Sequence, residues 1–142
     1  MMIDPRGPRF TASVTAVVLA VTLVLPAAAA TVLIGVQAVF FATGVVAGVH
    51  NTPTGLTFRH LVRPRLAPPT DLEDPAPPRF AQGVGLGFAT VALIGYLAGA
   101  TVLAQVAVGF ALVAALLNAV FGLCLGCELY LLGKRVTAPA AR

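Results

Sequence analysis

The chain has 142 residues, of which 58% are hydrophobic and only 10% charged. Soluble domains carry about 25% charged residues, so nine basic and five acidic side chains are too few to keep this chain in water. The net charge of +4 is no nucleic-acid footprint, because the basic residues flank apolar runs, Trp is absent and no basic–aromatic interleaving occurs.

Between Arg9 and Arg59, and again between Arg79 and Glu128, no residue is Asp, Glu, Lys or Arg. At about 1.5 Å per helical residue, each run is about twice the length that crosses a hydrocarbon core of about 30 Å. Open sheet has no partners for its edges in lipid, and the alternation of a barrel strand is missing. The pattern predicts an all-α membrane protein, a single integral domain over 1–142, with four transmembrane helices arranged as two hairpins. The spans are placed at 12–28, 31–49, 84–104 and 107–132. Arg6 and Arg9, the apolar run Val14–Leu25 and the small residues Ala27–Ala30 also fit a cleavable signal peptide. That alternative leaves the other three spans in the same orientation.

The first turn is expected at Pro26 with Ala27–Ala30, the second near Gln105, and both are uncharged. All nine basic residues fall on the other side: Arg6, Arg9, Arg59, Arg63, Arg65, Arg79, Lys134, Arg135 and Arg142. The positive-inside rule then places both termini and the loop 50–83 in the cytoplasm of a multi-pass cell-membrane protein. That loop carries Arg63-Pro64-Arg65, Pro68-Pro69, Pro75 and Pro77-Pro78. Proline removes an amide donor and disfavours helix before it. The loop is expected to run extended along the membrane surface, its arginines meeting anionic lipid heads or a cytoplasmic partner. Asp71, Glu73 and Asp74 are expected to pair with those arginines.

Three Gly-xxx-Gly pairs, Gly44/Gly48, Gly95/Gly99 and Gly122/Gly126, are expected to pack helices within the bundle or a homo-oligomer. The halves look alike. Pro8-Arg9-Phe10 and Pro78-Arg79-Phe80 open them, Val14 and Val84 follow each Phe at the same interval, and Gly44-xxx-Gly48 matches Gly122-xxx-Gly126. A parallel repeat about an axis along the membrane normal would set His50 opposite Glu128. Gln37, Tyr96, Gln105 and Asn118 are expected to hydrogen-bond between helices.

The compact chemical constellation is Cys124-Leu125-Gly126-Cys127-Glu128, holding both cysteines of the chain. Inside a fourth span, positions i, i+3 and i+4 share one face, so Cys124, Cys127 and Glu128 would point together. Glu128 would be the one carboxylate within a span, a functional candidate by default. A Cys-x-x-Cys pair suits thiol–disulfide exchange, where one thiolate attacks and its neighbour resolves, and also sulfane-sulfur transfer. A helix C-terminus beside a carboxylate would disfavour the thiolate. His50 and Arg79 are candidates to line the approach and bind substrate. Structural zinc needs about four ligands, so a metal would require His50, Glu128 or a second chain. Glu128 stands where a covalent haem motif needs histidine. No metal or cofactor is assigned. The rival readings are inert packing cysteines in a non-catalytic membrane scaffold or transporter subunit, and a small-solute or anion carrier.

Asp4-Pro5-Arg6-Gly7-Pro8-Arg9-Phe10-Thr11-Ala12, Arg63-Pro64, Glu73-Asp74, Pro77-Pro78-Arg79-Phe80-Ala81-Gln82 and Cys124-Leu125-Gly126-Cys127-Glu128 resemble a family of small bacterial membrane proteins, domain of unknown function 4395. The resemblance covers nearly the whole chain. It implies four membrane helices, no established activity, an actinobacterial type of source, and thioredoxin-like or rhodanese-like proteins as cytoplasmic partners.

Overall fold

The computed structural model describes residues 2–138. Within them the chain forms six α-helices: α1 (Arg6–Val24), α2 (Ala27–Ala47), α3 (Pro53–Thr57), α4 (Ala76–Leu97), α5 (Thr101–Phe121) and α6 (Leu125–Thr137). Four of them, α1, α2, α4 and α5, are long and apolar enough to cross a membrane. The chain is a multi-pass membrane protein, as its two charge-free runs predict. Arg142, one of the nine basic residues, lies outside the described residues.

All four long helices start earlier than hydropathy alone places them. Each half opens on one frame, Asp-Pro-x-x-Pro-Arg-Phe, at Asp4–Phe10 and at Asp74–Phe80. Asp4 Oδ1 accepts the Arg6 N–H at 3.0 Å, and Asp74 Oδ1 accepts the Ala76 N–H at 2.9 Å. These carboxylates satisfy first-turn donors that a helix cannot satisfy itself. Pro8 and Pro78 stand in the first turn, where a missing N–H is no loss. The frame therefore nucleates helix ahead of the apolar run. The second turn also moves. It lies at Ala98–Ala100, where Gly99 takes φ +77°, and Gln105 sits inside α5 as a false marker.

The long helices form a ring in which α1 and α4 each neighbour both α2 and α5. Leu19, Ile34, Ala92, Ala104 and Val108 are almost wholly buried at its centre, while Val24, Val32, Val46, Val102 and Phe110 face outward. Small residues in the middle let backbones approach, which is how helices associate where lipid supplies no hydrophobic drive. The glycine pairs divide that labour. Gly44 lies against the Gln82 side chain of α4, Gly95 against Ala104 of α5, and Gly126 against Ala81 of α4. Their partners Gly48, Gly99 and Gly122 instead have φ of 87°, 77° and 68° and end helices. Gly122 and Gly126 do not share a helix at all.

The loop after α2 is not extended throughout. Thr52 caps α3, its hydroxyl accepting the Gly55 N–H at 3.1 Å, and the helical path runs on through a π turn and a 3-10 turn to Arg65. From Leu66 to α4 the chain lacks helix. Its acidic residues do not pair with its arginines. Among the described residues the ion pairs join Asp4 to Arg6 at 2.8 Å and to Arg63 at 3.9 Å. The expected interhelical hydrogen bonds of Gln37, Tyr96, Gln105 and Asn118 are likewise missing from the described residues.

The two halves make matching contacts. Arg9 Nη2 donates to Ala119 O at 3.3 Å and to Val120 O at 3.4 Å, the last carbonyls of α5. Arg79 donates to Val45 O and, through Nη2 at 2.8 Å, to Val46 O, at the end of α2. Short helix α3 packs on α1, and α6 packs on α4. Phe58 meets Phe10 with ring centroids 5.9 Å apart, and Tyr130 meets Phe80 at 5.7 Å. Ile3 and Glu73, each just before the aspartate of its frame, bond to one another through two reciprocal backbone hydrogen bonds of 2.9 Å. The arginine contacts match Gly48 with Gly122, one helical turn from the register of the glycine pairs, and the aromatic contacts match Thr52 with Cys124, so neither sets His50 opposite Glu128. They also bring both frames, both short helices and every described basic residue to one end of the bundle. The other end carries only the two uncharged turns.

Candidate functional site

The cysteines are not inside a span. At Phe121 α5 stops: Gly122 turns left-handed, its N–H bonds Asn118 O at 3.0 Å, and the Leu123 N–H bonds Leu117 O at 3.2 Å. The 5→1 bond from a positive-φ glycine closes a helix, and glycine takes the turn without the steric cost of a Cβ. Cys124 then has extended geometry, φ −86° and ψ 102°, and is the N-cap of α6. The expectation of a fourth span reaching 132 fails here, because Gly122 reads as a packing glycine when only its spacing from Gly126 is considered.

The restart changes the chemistry. Cys124 Sγ accepts the Cys127 N–H at 3.2 Å, taking the role a serine or aspartate usually plays at a helix start. Cys124 and Cys127 are joined as a disulfide, their Cα atoms 5.1 Å apart. The pair sits at a helix N-terminus, whose partial positive charge favours thiolate. The C-terminal setting expected from a continuous fourth helix, and the penalty drawn from it, do not hold. Glu128 is exposed in the first turn of α6, outside the four spans, where a carboxylate complements the helix dipole.

Gly126 fixes where the pair sits. A Cβ there would fall 2.6 Å from Ala81 Cα, so α6 crosses α4 in backbone contact. That crossing lays Cys124 on the wall of a cavity of about 260 Å³ inside the ring. Its lining is mainly apolar, with Ala12, Phe41, Phe88, Ala111 and Ala115, and its amides come from Gln82 and Asn118.

The two candidate substrate-binding residues are elsewhere. His50 lines a separate cavity with Asp4, Arg59 and Arg63, and its buried Nδ1 has no hydrogen-bond partner among the described residues. Arg79 is committed to the end of α2 and lies beside Tyr130 in a third hollow. The arginine near the cysteines is Arg9, whose guanidinium packs over Gly122, two residues before Cys124. Doubling of the whole seven-residue frame, rather than of Pro-Arg-Phe alone, is the signal that each arginine serves an equivalent helix end. No group of three or more His, Cys, Asp and Glu residues among the described ones is arranged to hold a metal.

Charge at this end is uneven. The Arg6 guanidinium, bonded to the carboxylate of Asp4, holds it below the usual carboxylate range. Burial pushes Glu73 up, and the neighbouring Asp4 charge adds to the effect.

A family model described as domain of unknown function 4395 matches residues 3–135, and the chain belongs to that family. No curated protein and no solved structure matches it.

Proposed function

For this member of the family, we propose a membrane-embedded thiol–disulfide function at the cytoplasmic face, with Cys124 and Cys127 as the reacting pair. The observation that carries it is the placement of both cysteines at the start of α6, with Cys124 capping the helix through the Cys127 N–H. A cysteine kept only for packing has no need of that position.

In one cycle, a thiolate of a soluble dithiol partner of thioredoxin-like type attacks Cys127 Sγ. The disulfide opens and Cys124 leaves as a thiolate, stabilised by the Cys127 N–H and the helix N-terminus. The partner's second thiol, as thiolate, then displaces Cys127 and closes the partner's own disulfide. Two electrons and two protons reach the membrane pair. Glu128, exposed in the first turn of α6, would take and return the Cys127 proton. The same thiolate would accept sulfane sulfur from a rhodanese-like partner. The basic end, with Arg9, Arg59, Arg63, Arg65, Arg79, Lys134 and Arg135, is read as cytoplasmic by the positive-inside rule. The matching contacts support a parallel repeat about an axis along the membrane normal.

Alkylation before and after mild reduction, read by mass spectrometry on protein purified without reductant, tests the reading. A disulfide or persulfide on Cys124 and Cys127, and a trapped mixed disulfide with the partner in a single-serine variant, are expected. Permanently free, inert thiols, with a Cys124→Ser/Cys127→Ser variant that behaves as wild type in cells, would leave a non-catalytic scaffold or transporter subunit. Orientation is checked with Thr70→Cys in a background without other cysteines. Labelling of that residue from outside intact cells contradicts a cytoplasmic site.

A further inference from the structure

We infer that the cavity beside Cys124 binds the head group of a lipid-soluble quinone, which takes the electrons of the cysteine pair. The inference rests on the thiol–disulfide reading and names its second substrate. Three features of the cavity's lining point the same way. The cavity lies inside the ring of long helices and is walled largely by Ala, Val, Leu and Phe side chains, so it suits a molecule arriving from the hydrocarbon rather than a soluble thiol. The lining includes Phe41 and Phe88, and aromatic side chains suit a flat aromatic guest. Gln82 and Asn118 both line it, and neither amide makes a side-chain hydrogen bond among the described residues. Each amide is free to donate to a carbonyl oxygen, and a quinone carries two.

Size is consistent with a head group. At about 260 Å³ the space falls just under the range of about 300–1,000 Å³ typical of small-molecule pockets. It takes a one- or two-ring nucleus and leaves an isoprenoid tail in the lipid. Gly44 contributes by its lack of a side chain: a Cβ there would meet Gln82 Cγ and Oε1 at 2.7 Å, so the glycine gives the amide its place.

The step balances with these reactants alone. The reduced pair loses two electrons and two protons and forms the Cys124–Cys127 bond. The quinone gains both and leaves as quinol. Cys124, on the wall, is the sulfur that meets the ring: its thiolate adds to a ring carbon while the electron pair moves to a carbonyl oxygen. Cys127 then attacks Cys124 Sγ, the carbon–sulfur bond breaks towards the ring, and the quinol departs with its second proton. Coupled to the exchange proposed above, the net reaction is dithiol plus quinone to disulfide plus quinol, carried from the aqueous face into the membrane.

The experiment uses full-length protein in detergent, reduced and freed of reductant. Decylubiquinone and menadione are the quinone probes, and dithiodipyridine is a soluble oxidant that needs no cavity. Absorbance reports quinol formation, and mass spectrometry reports the cysteines. The expected result is one quinol per chain with loss of both thiols, and none from Cys124→Ser or Cys127→Ser. Asn118→Leu and Gln82→Leu should each slow quinone reduction by about fivefold, the order expected for one lost hydrogen bond. Ala115→Phe, which fills the cavity, should abolish it. All three variants should keep the wild-type rate with dithiodipyridine, which also shows that they fold. Oxidation by dithiodipyridine without any quinol overturns the quinone site and leaves the thiol function standing. So does a stable quinone adduct on cysteine in place of the disulfide. Thiols inert to every oxidant overturn the thiol function itself.

Discussion

The short helices α3 and α6 stand at matching places in the two halves, and they differ in what begins them. Thr52 opens α3 with a hydroxyl that accepts the Gly55 N–H at 3.1 Å, and Cys124 opens α6 with a sulfur that accepts the Cys127 N–H at 3.2 Å. Each helix then packs on the first long helix of its own half, with an aromatic six residues after the cap, Phe58 or Tyr130, against the phenylalanine of the frame. One arrangement thus carries a hydroxyl cap in one half and a sulfur cap in the other. The proposed chemistry would come from two side chains, Cys124 and Cys127, at the cap and three residues on, where α3 has Thr52 and Gly55.

The strongest way to break the comparison is to add a methyl group where each short helix meets neighbouring backbone, α6 at its crossing with α4 and α3 at the turn before it. In Gly126→Ala the new Cβ would meet Ala81 Cα at 2.6 Å, and in Gly55→Ala it would meet His50 Cα at 2.9 Å. Both contacts are with backbone, which cannot swing aside, and each should cost about 2–3 kcal/mol of stability in detergent, as overpacking does. Thermal unfolding checks this. Only Gly126→Ala should also slow the cysteine chemistry, because only that crossing positions the pair.

A smaller and more symmetric effect is expected from Arg9→Gln and Arg79→Gln. Each variant removes donors from the last carbonyls of a helix in the other hairpin, and each should cost about 1 kcal/mol. Near-equal losses of melting temperature support matched halves; a loss confined to one of them breaks the match. Thr52→Ala should cost about 1 kcal/mol as a lost N-cap, with no change in thiol reactivity.

Acidity sharpens the same frame. The pKa of Asp4 is lowered in the fold, so the stability it contributes is present above its unfolded value and is lost as pH falls through the folded one. The pKa of Glu73 is raised, so its contribution is present below the unfolded value and is lost as pH rises through the folded one. At pH 7 Asp4→Asn should therefore lower the melting temperature, and Glu73→Gln should raise it. In the acid range both differences should shrink. A pH series of melting curves on the two variants reads both signs.

Much of the bundle was legible in the sequence. Two uncharged runs of double-span length dictate two hairpins, and Pro26 marks the first turn by itself. What escaped was punctuation. In an apolar segment, Gly99 and Gly122 look like packing residues until their backbone angles are known, so the second turn was displaced towards Gln105 and the break before α6 was invisible. That break decides the site. It turns Cys124 from a mid-helix residue near a C-terminus into an N-cap, reverses the sign of the dipole at the pair, and moves Glu128 out of the spans. The position of Arg9 was within reach, since Asp4–Phe10 and Asp74–Phe80 share a seven-residue frame. Gln82 and Asn118 carry no such signal, because an amide in an apolar helix does not announce whether it faces a neighbour or a cavity.

The central claim is that the N-terminus of α6 activates Cys124. The most direct test is the pH dependence of Cys124 alkylation in the reduced Cys127→Ser protein, compared with an unstructured peptide of residues 120–132 bearing the same serine. Activation by the helix start predicts that the protein's reaction reaches its plateau at lower pH than the peptide's. A profile that coincides with the peptide's, or lies at higher pH, contradicts it.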